Sequence, residues 1–211
     1  YTRHARLLSL VLDDPEIDAG IAHPAMLGPI SAEGRPGVSI VTCSMNRTEN
    51  LLRSLSSWLA QDQVSEVVIV DWSSDEPVRG ALRSNGIFDQ RIKIVRVNGI
   101  NRWILSYAFN TGFRVASFDS ILKLDADIVL QSDFFQRNAV PTSDYFIAGN
   151  WRHVPKKQAH VNGFFFSPRA ALASVGGFNE FITTYGWDDD DIYARFQASG
   201  FQRRDVAAGT I

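Results

Sequence analysis

Four short apolar runs, each ending on polar residues and separated by longer stretches, set the fold of this chain. Val38-Ser39-Ile40-Val41-Thr42, Val67-Val68-Ile69-Val70, Ile92 to Val97 and Ile121 to Leu124 read as buried strands. Between the first two, Leu51, Leu52, Leu55, Trp58 and Leu59 recur at helical spacing, with Asn46 placed as N-cap and Glu49 three residues on. Ile104 to Val115 reads as a second helix, leading into the fourth strand. Strands alternating with helices predict an α/β domain, a mostly parallel central sheet flanked by helices with right-handed crossovers. Ligands of such sheets sit outside the carboxyl ends of the strands. Thr42-Cys43-Ser44, Asp71-Trp72-Ser73-Ser74 and Asp125-Ala126-Asp127 all fall there. Three polar strand ends on one edge describe a site.

The second half changes texture. Tyr145 to Gly149 and Gly163 to Ser167 read as strands, and Pro168 to Val175 as a helix with Pro in its first turn. Gly176-Gly177-Phe178-Asn179-Glu180 reads as a turn, and Asp188 to Ala198 as a final helix. Residues 1–37, broken by Pro15, Pro24, Pro29 and Pro36, read as a lead-in with one short helix at Leu7 to Leu12.

Hydrophobic content of 45% with 21% charged residues is ordinary for a globular protein with a full core. A net charge of −2 argues against nucleic acid as a partner. No apolar run is long enough to span a bilayer, and the start carries no signal-peptide pattern. The lone Cys43 excludes an intrachain disulfide and, following Val38 to Thr42, reads as a buried, inert thiol. These features predict a cytoplasmic protein, with peripheral membrane association compatible. The start at Tyr1 and the end at Gly209-Thr210-Ile211 read as cuts from a longer chain.

Two acidic features carry the chemistry. Asp125 and Asp127 interrupt an otherwise apolar segment, and burying carboxylates is costly unless a cation or donors meet them. Their i, i+2 spacing lets both reach one side of a strand end, where hard oxygen ligands suit Mg²⁺ or Mn²⁺. An Asp-containing turn explains the same pattern without a ligand. The second feature is Tyr185-Gly186-Trp187-Asp188-Asp189-Asp190-Asp191-Ile192-Tyr193. Aspartates at a helix start gain from the dipole, but that needs one or two carboxylates, not four. Crowding also pushes at least one pKa upward, as a general base requires. On a helix Asp188 and Asp191 share a face with Ile192, while Asp189 and Asp190 point elsewhere.

On these motifs the chain resembles nucleotide-sugar glycosyltransferases of the GT-A fold, from about Val38 to Arg203. Val38 to Asp127 is similar to the nucleotide-binding half of family 2 enzymes. The resemblance implies that Asp71 contacts the uracil and that Asp125 and Asp127 bind the divalent metal and the nucleotide-sugar. Gly176 to Glu180, continuing through Gly186 to Tyr193, resembles the C-terminal half of family 7 β1,4-galactosyltransferases and of related chondroitin-type and polypeptide N-acetylgalactosaminyltransferases. Their motif runs Gly-Trp-Gly-Gly-Glu-Asp-Asp-Asp-Ile-Tyr, so Asp188 matches the family Glu and Asp189 the catalytic Asp. Asn46 and Arg47 match a family loop whose Arg meets the nucleotide.

The implied domain covers 38–211, nucleotide-binding to about residue 130 and acceptor-binding from about 131. The resemblance implies an inverting glycosyltransferase, taking a hexose or N-acetylhexosamine from a UDP-sugar to a glycan or other hydroxyl acceptor, with Mn²⁺ or Mg²⁺. Asp127 with Asp125 would hold the metal. Thr42, Ser44, Arg47, Asp71 and Asp125 would hold the donor. Asp189 would be the base, with Asp188 and Trp187 on the acceptor. Trp187 runs straight into the aspartates without the family's two glycines, which belong to a mobile loop. Family 7 enzymes also use a downstream His as metal ligand; none follows Asp191 here, so that ligand is expected beyond Ile211. Among the histidines, His153 and His160 flank a polar loop, His160 could approach the donor sugar, and His4 and His23 have no role.

Two other classes compete. A non-catalytic carbohydrate- or Ca²⁺-binding module would use the acidic run as a cation site, but EF-hand-type loops alternate their ligands around a Gly, unlike Asp188 to Asp191. A sugar nucleotidyltransferase would share the nucleotide half but usually needs a Gly-rich phosphate loop. Thr42 to Arg47 has no Gly.

Overall fold

The computed structural model of the protein describes residues 27–152, 161–184 and 186–211. The expected helix at Leu7 to Leu12, all four histidines and Tyr185 lie outside the described residues.

The first run extends further than its apolar core, as β1 (Arg35–Ser44). It is followed by α1 (Thr48–Leu59), β2 (Val64–Trp72), α2 (Val78–Ser84), β3 (Ile92–Val97), α3 (Leu105–Val115) and β4 (Phe118–Lys123). After these come α4 (Phe134–Arg137), β5 (Tyr145–Ala148), β6 (Phe165–Pro168), α5 (Arg169–Val175), α6 (Asp188–Ala198) and β7 (Gln202–Asp205). The strands form one sheet in the order β3-β2-β1-β4-β6-β5-β7. The β3-β2-β1-β4 half is parallel throughout. β6 then runs antiparallel to both β4 and β5, and β7 returns parallel to β5. The sheet is mostly parallel and flanked by helices, as the alternation predicts.

Successive residues of a strand face opposite sides, and each side here has its own core. Val41, Cys43, Val68, Val70 and Ile121 meet Phe109 and Phe113 of α3, Leu172 of α5, and Ile192 and Phe196 of α6. Ile40, Val67, Ile69, Leu122 and Leu124 meet Leu51, Leu55 and Trp58 of α1, Val78 and Leu82 of α2, and Phe134 of α4. Helix α3 lies so close to the sheet that a Cβ on Gly112 would stand 2.4 Å from Val41 Cγ1. Phe109, Phe113, Phe165 and Phe178 form an aromatic cluster with ring centroids 5.8 to 6.0 Å apart.

The Gly-Gly turn is built for this packing. Gly177 has φ +81°, and a Cβ there would sit 2.3 Å from Asn110 Oδ1. That amide instead binds the turn: Asn110 accepts from Phe178 N–H at 2.8 Å and donates to the Phe178 carbonyl at 2.9 Å.

Asn46 does not cap α1. The cap position is Arg47, and Asn46 sits in the left-handed region at φ 57°. Its side chain accepts from Asp75 N–H at 2.8 Å and donates to Asp75 Oδ2 at 3.0 Å, tying the end of β1 to the loop after β2. Pro168 ends β6 and caps α5, one residue before the helix it was expected to begin.

Candidate active site

The acidic pair comes after β4, where the backbone leaves the sheet. Leu124 N–H still reaches the Val41 carbonyl at 3.1 Å, and a turn closes from Ile128 N–H to the Asp125 carbonyl at 3.1 Å. Helix α1 holds this turn from beneath. Ser54 Oγ donates to the Ala126 carbonyl, Trp58 Nε1 donates to the Ile128 carbonyl at 2.8 Å, and Ser57 Oγ accepts from Leu130 N–H at 3.1 Å. Each bond satisfies a backbone group of the turn that would otherwise lack a partner. The carboxylates of Asp125 and Asp127 are thereby presented on a fixed support.

Both aspartates border two adjoining clefts. One, of about 740 Å³, is lined by Asp125, Asp127, Asn162, Gly163, Trp187, Asp188, Asp189 and Asp190 among others. The second, of about 830 Å³, adds Cys43, Met45, Arg47, Asn50, Arg102 and Trp103. Leu105, Asp125, Asp127 and Asp188 belong to both. The turn after β4 and the start of α6 therefore face one continuous hollow.

Helix α6 brings in the second acidic group. Trp187 precedes it in the left-handed region at φ 71°, with its ring 80% exposed. The four aspartates divide their tasks. Asp191 turns to Arg195, 2.7 Å away, as an i, i+4 ion pair. Asp188, Asp189 and Asp190 face the cleft. Burial raises the Asp188 carboxyl above its ordinary value. Burial also raises Asp189, to about 6; Lys123 opposes the rise, and Asp125 and the neighbouring aspartates add to it. Asp189 Oδ1 is buried without a hydrogen-bond partner. A carboxylate on a cleft wall that holds its proton up to about pH 6 has the properties of a general base.

Sequence reasoning gave Lys123 no role. It is fully buried, with Nζ 2.8 Å from Asp125 Oδ1 and 3.8 Å from Asp189 Oδ1, and it donates to the Gly163 carbonyl. Burial alone would lower its pKa, but the Asp125 and Asp189 carboxylates outweigh that and hold it above the usual value. A lysine inside an apolar strand next to an acidic pair was the available signal.

The expected nucleotide contacts are only partly brought to the cleft. Arg47 lines it. Thr42 and Ser44 do not: they are 0% and 1% exposed, and Cys43 of β1 and Met45 just after it line the cleft instead. Asp71 is 1% exposed and already engaged. Its Oδ1 accepts from Ser74 N–H at 3.2 Å; its Oδ2 accepts from Val78 N–H at 3.0 Å and from Arg96 at 2.6 Å. The carboxylate ties the loop after β2 to the start of α2. Arg102 and Trp103, which line the cleft, were not assigned from sequence.

Among the described residues no group of three or more His, Cys, Asp or Glu gathers as a metal site. Asp125 and Asp127 nevertheless offer hard oxygen donors on an open cleft, with the Asp125 side chain 41% exposed. Mg²⁺ and comparable ions commonly take one or two carboxylates and complete their shell with phosphate and water. The residues present fit such an ion.

The sequence profile described as Glycosyl transferase family 2 matches residues 39–159. A second, described as the N-terminal domain of galactosyltransferase, matches residues 150–210. The two matches overlap at residues 150–159. No curated protein matches the chain. Among solved structures, the mannosyltransferase PcManGT from Pyrobaculum calidifontis, in complex with GDP-Man and Mn²⁺, superposes with a TM-score of 0.63 at 16% identity, covering 97% of this chain and 62% of that one. TarS from S. aureus (residues 1–349) superposes with a TM-score of 0.59 at 13% identity, covering 82% of this chain and 59% of that one. The chain thus spans about three fifths of each of these structures. At such identities the likeness is one of fold, and that fold is GT-A.

Proposed function

Because the chain belongs to glycosyl transferase family 2, we propose that it moves a hexose or N-acetylhexosamine from a UDP-sugar to an acceptor hydroxyl with inversion at the anomeric carbon. The observation that carries this reading is the convergence of Asp125, Asp127 and Asp189 on one hollow.

The donor diphosphate lies by the turn after β4, with Arg47 reaching the nucleotide from the second cleft. Asp127 with Asp125 would hold Mn²⁺ or Mg²⁺, which would supply positive charge against the leaving diphosphate. Asp189 takes the proton of the acceptor hydroxyl, and that oxygen attacks the anomeric carbon from the face opposite the leaving group. The bond to the diphosphate breaks as the new glycosidic bond forms, so no enzymic nucleophile is needed. Asp188 orients the acceptor by hydrogen bonds, and the exposed ring of Trp187 offers a platform for a sugar face. Support for a divalent ion comes from the Pyrobaculum mannosyltransferase, whose structure holds Mn²⁺ together with GDP-Man.

A thermal-shift panel of UDP- and GDP-sugars, in Mn²⁺ and in EDTA, tests the reading. A ligand that binds only the folded state raises the melting temperature. UDP-sugars should shift it clearly with Mn²⁺ and little in EDTA, and Asp127→Asn should remove the difference. Equal shifts with and without metal contradict metal dependence, and a response to GDP-sugars alone contradicts the donor class.

A further inference from the structure

Lys123 is a buried cation that the mechanism above leaves unused. Burying an ammonium is costly unless it is paired and hydrogen-bonded, and its partners come from three separate segments. Asp125, in the turn after β4, lies 2.8 Å from Nζ. Asp189, in the first turn of α6, lies 3.8 Å away. The carbonyl of Gly163, just before β6, accepts a hydrogen bond, and the Phe109 ring centroid lies 4.5 Å from Nζ. We infer that Lys123 is a positioning residue for glycosyl transfer, one ammonium that sets the metal-side carboxylate Asp125 and the base Asp189 at a fixed spacing. The inference rests on the reading of Asp189 as the base.

Folding alone does not ask for a lysine here. An apolar side chain of similar volume would fill the site against Phe109 and Phe178, and a buried charge cluster replaced as a whole by apolar groups is often neutral for stability, although removing one partner alone is costly. What would be lost is the attraction holding two like charges near one point. Gly163 serves the same arrangement: a Cβ there would stand 2.6 Å from Asp125 Oδ2, so only glycine leaves the carboxylate where Lys123 meets it. The ammonium also engages one oxygen of Asp125, so it competes with any cation that approaches alone.

The test compares Lys123→Met, Asp189→Asn and the double variant of the full chain. It follows nucleotide release from a UDP-sugar in Mn²⁺ and, separately, Mn²⁺ binding without nucleotide by electron paramagnetic resonance. Lys123→Met should lower kcat about tenfold or more, with KM changed less than about threefold, because a misplaced base costs turnover rather than binding. The double variant should be no slower than Asp189→Asn alone, since the two residues act as a unit. Mn²⁺ alone should bind Lys123→Met more tightly than wild type. Multiplicative losses in the double variant, or an unchanged or weaker Mn²⁺ affinity, overturn the inference while leaving the base assignment standing. A full-rate Asp189→Asn protein overturns both. If Lys123→Met does not fold, Gly163→Ala keeps the lysine but displaces Asp125, and it should show the same tenfold loss; a full rate there overturns the inference.

Discussion

Four consecutive aspartates look alike in a sequence, but their surroundings make them different acids. Asp191 is held by Arg195, whereas Asp189 loses water on entering the cleft wall and keeps its proton up to about pH 6. A base must be ionised to act, so kcat/KM should fall as pH drops through about 6, far above an ordinary Asp at 3.8. The stability sign runs the other way. A raised folded pKa means the ionised form costs stability above about pH 6, and that cost fades as pH falls towards the unfolded value. At pH 7.5 Asp189→Asn should therefore melt no lower than wild type. A pH–rate profile flat down to pH 5 would show that the titrating group is not this one. Asp71 tests another assignment. With both oxygens engaged by Ser74, Val78 and Arg96, Asp71→Ala should cost about 3–5 kcal/mol of stability in urea unfolding, as when one partner of a buried pair is removed. Weaker UDP binding with unchanged stability would instead support the base contact expected from the family resemblance.

At the scale of elements, the readable signals were those in which burial alone decides the pattern. The strands up to Lys123 and the helices α1, α3 and α6 fall where apolar spacing put them, because each buries a face against one of the two cores. The misses have physical causes. β7 reads Gln-Arg-Arg-Asp, a polar edge strand that owes its form to pairing with β5 rather than to apolar content. The seven-residue α2 is too short for a periodic signal. Asn46 has the chemistry of a helix cap but finds Asp75, 29 residues away, a contact no local rule supplies. Gly112 shows packing overriding propensity. In an exposed helix Gly→Ala gains up to about 1 kcal/mol, but here the new Cβ would stand 2.4 Å from Val41 Cγ1 in a closed core. Gly112→Ala should therefore destabilise by about 1–3 kcal/mol, the usual cost of overpacking. A gain in stability would show that α3 can lift from the sheet.

Over the whole molecule, the sheet edge does what the order of strands implies: it collects residues from distant parts of the chain at one hollow. The acidic pair and the acidic run were legible because carboxylates near apolar strands or a helix start demand an explanation. Thr42, Ser44 and Asp71 are buried, and Asp71 is already held by Arg96; a strand end shows which residues are polar but not which way they turn or what holds them. Lys123 escaped notice because two of its three partners, Asp189 and the Gly163 carbonyl, meet it only in the folded chain. Among the described residues no helix is long and apolar enough to cross a membrane.

The central claim is that Asp189 is the base of a sugar transfer in this hollow, and nucleotide release from a UDP-sugar in Mn²⁺ by Asp189→Asn and Asp190→Asn tests it most directly. The Asn side chain keeps size and shape, so calorimetric donor affinity should match wild type in both. Asp189→Asn should be slower by roughly 10²–10⁴-fold, the usual contribution of a positioned base, and Asp190→Asn should stay within a few-fold of wild type. An Asp189→Asn protein working at full rate, or an inactive Asp190→Asn beside it, would contradict the account.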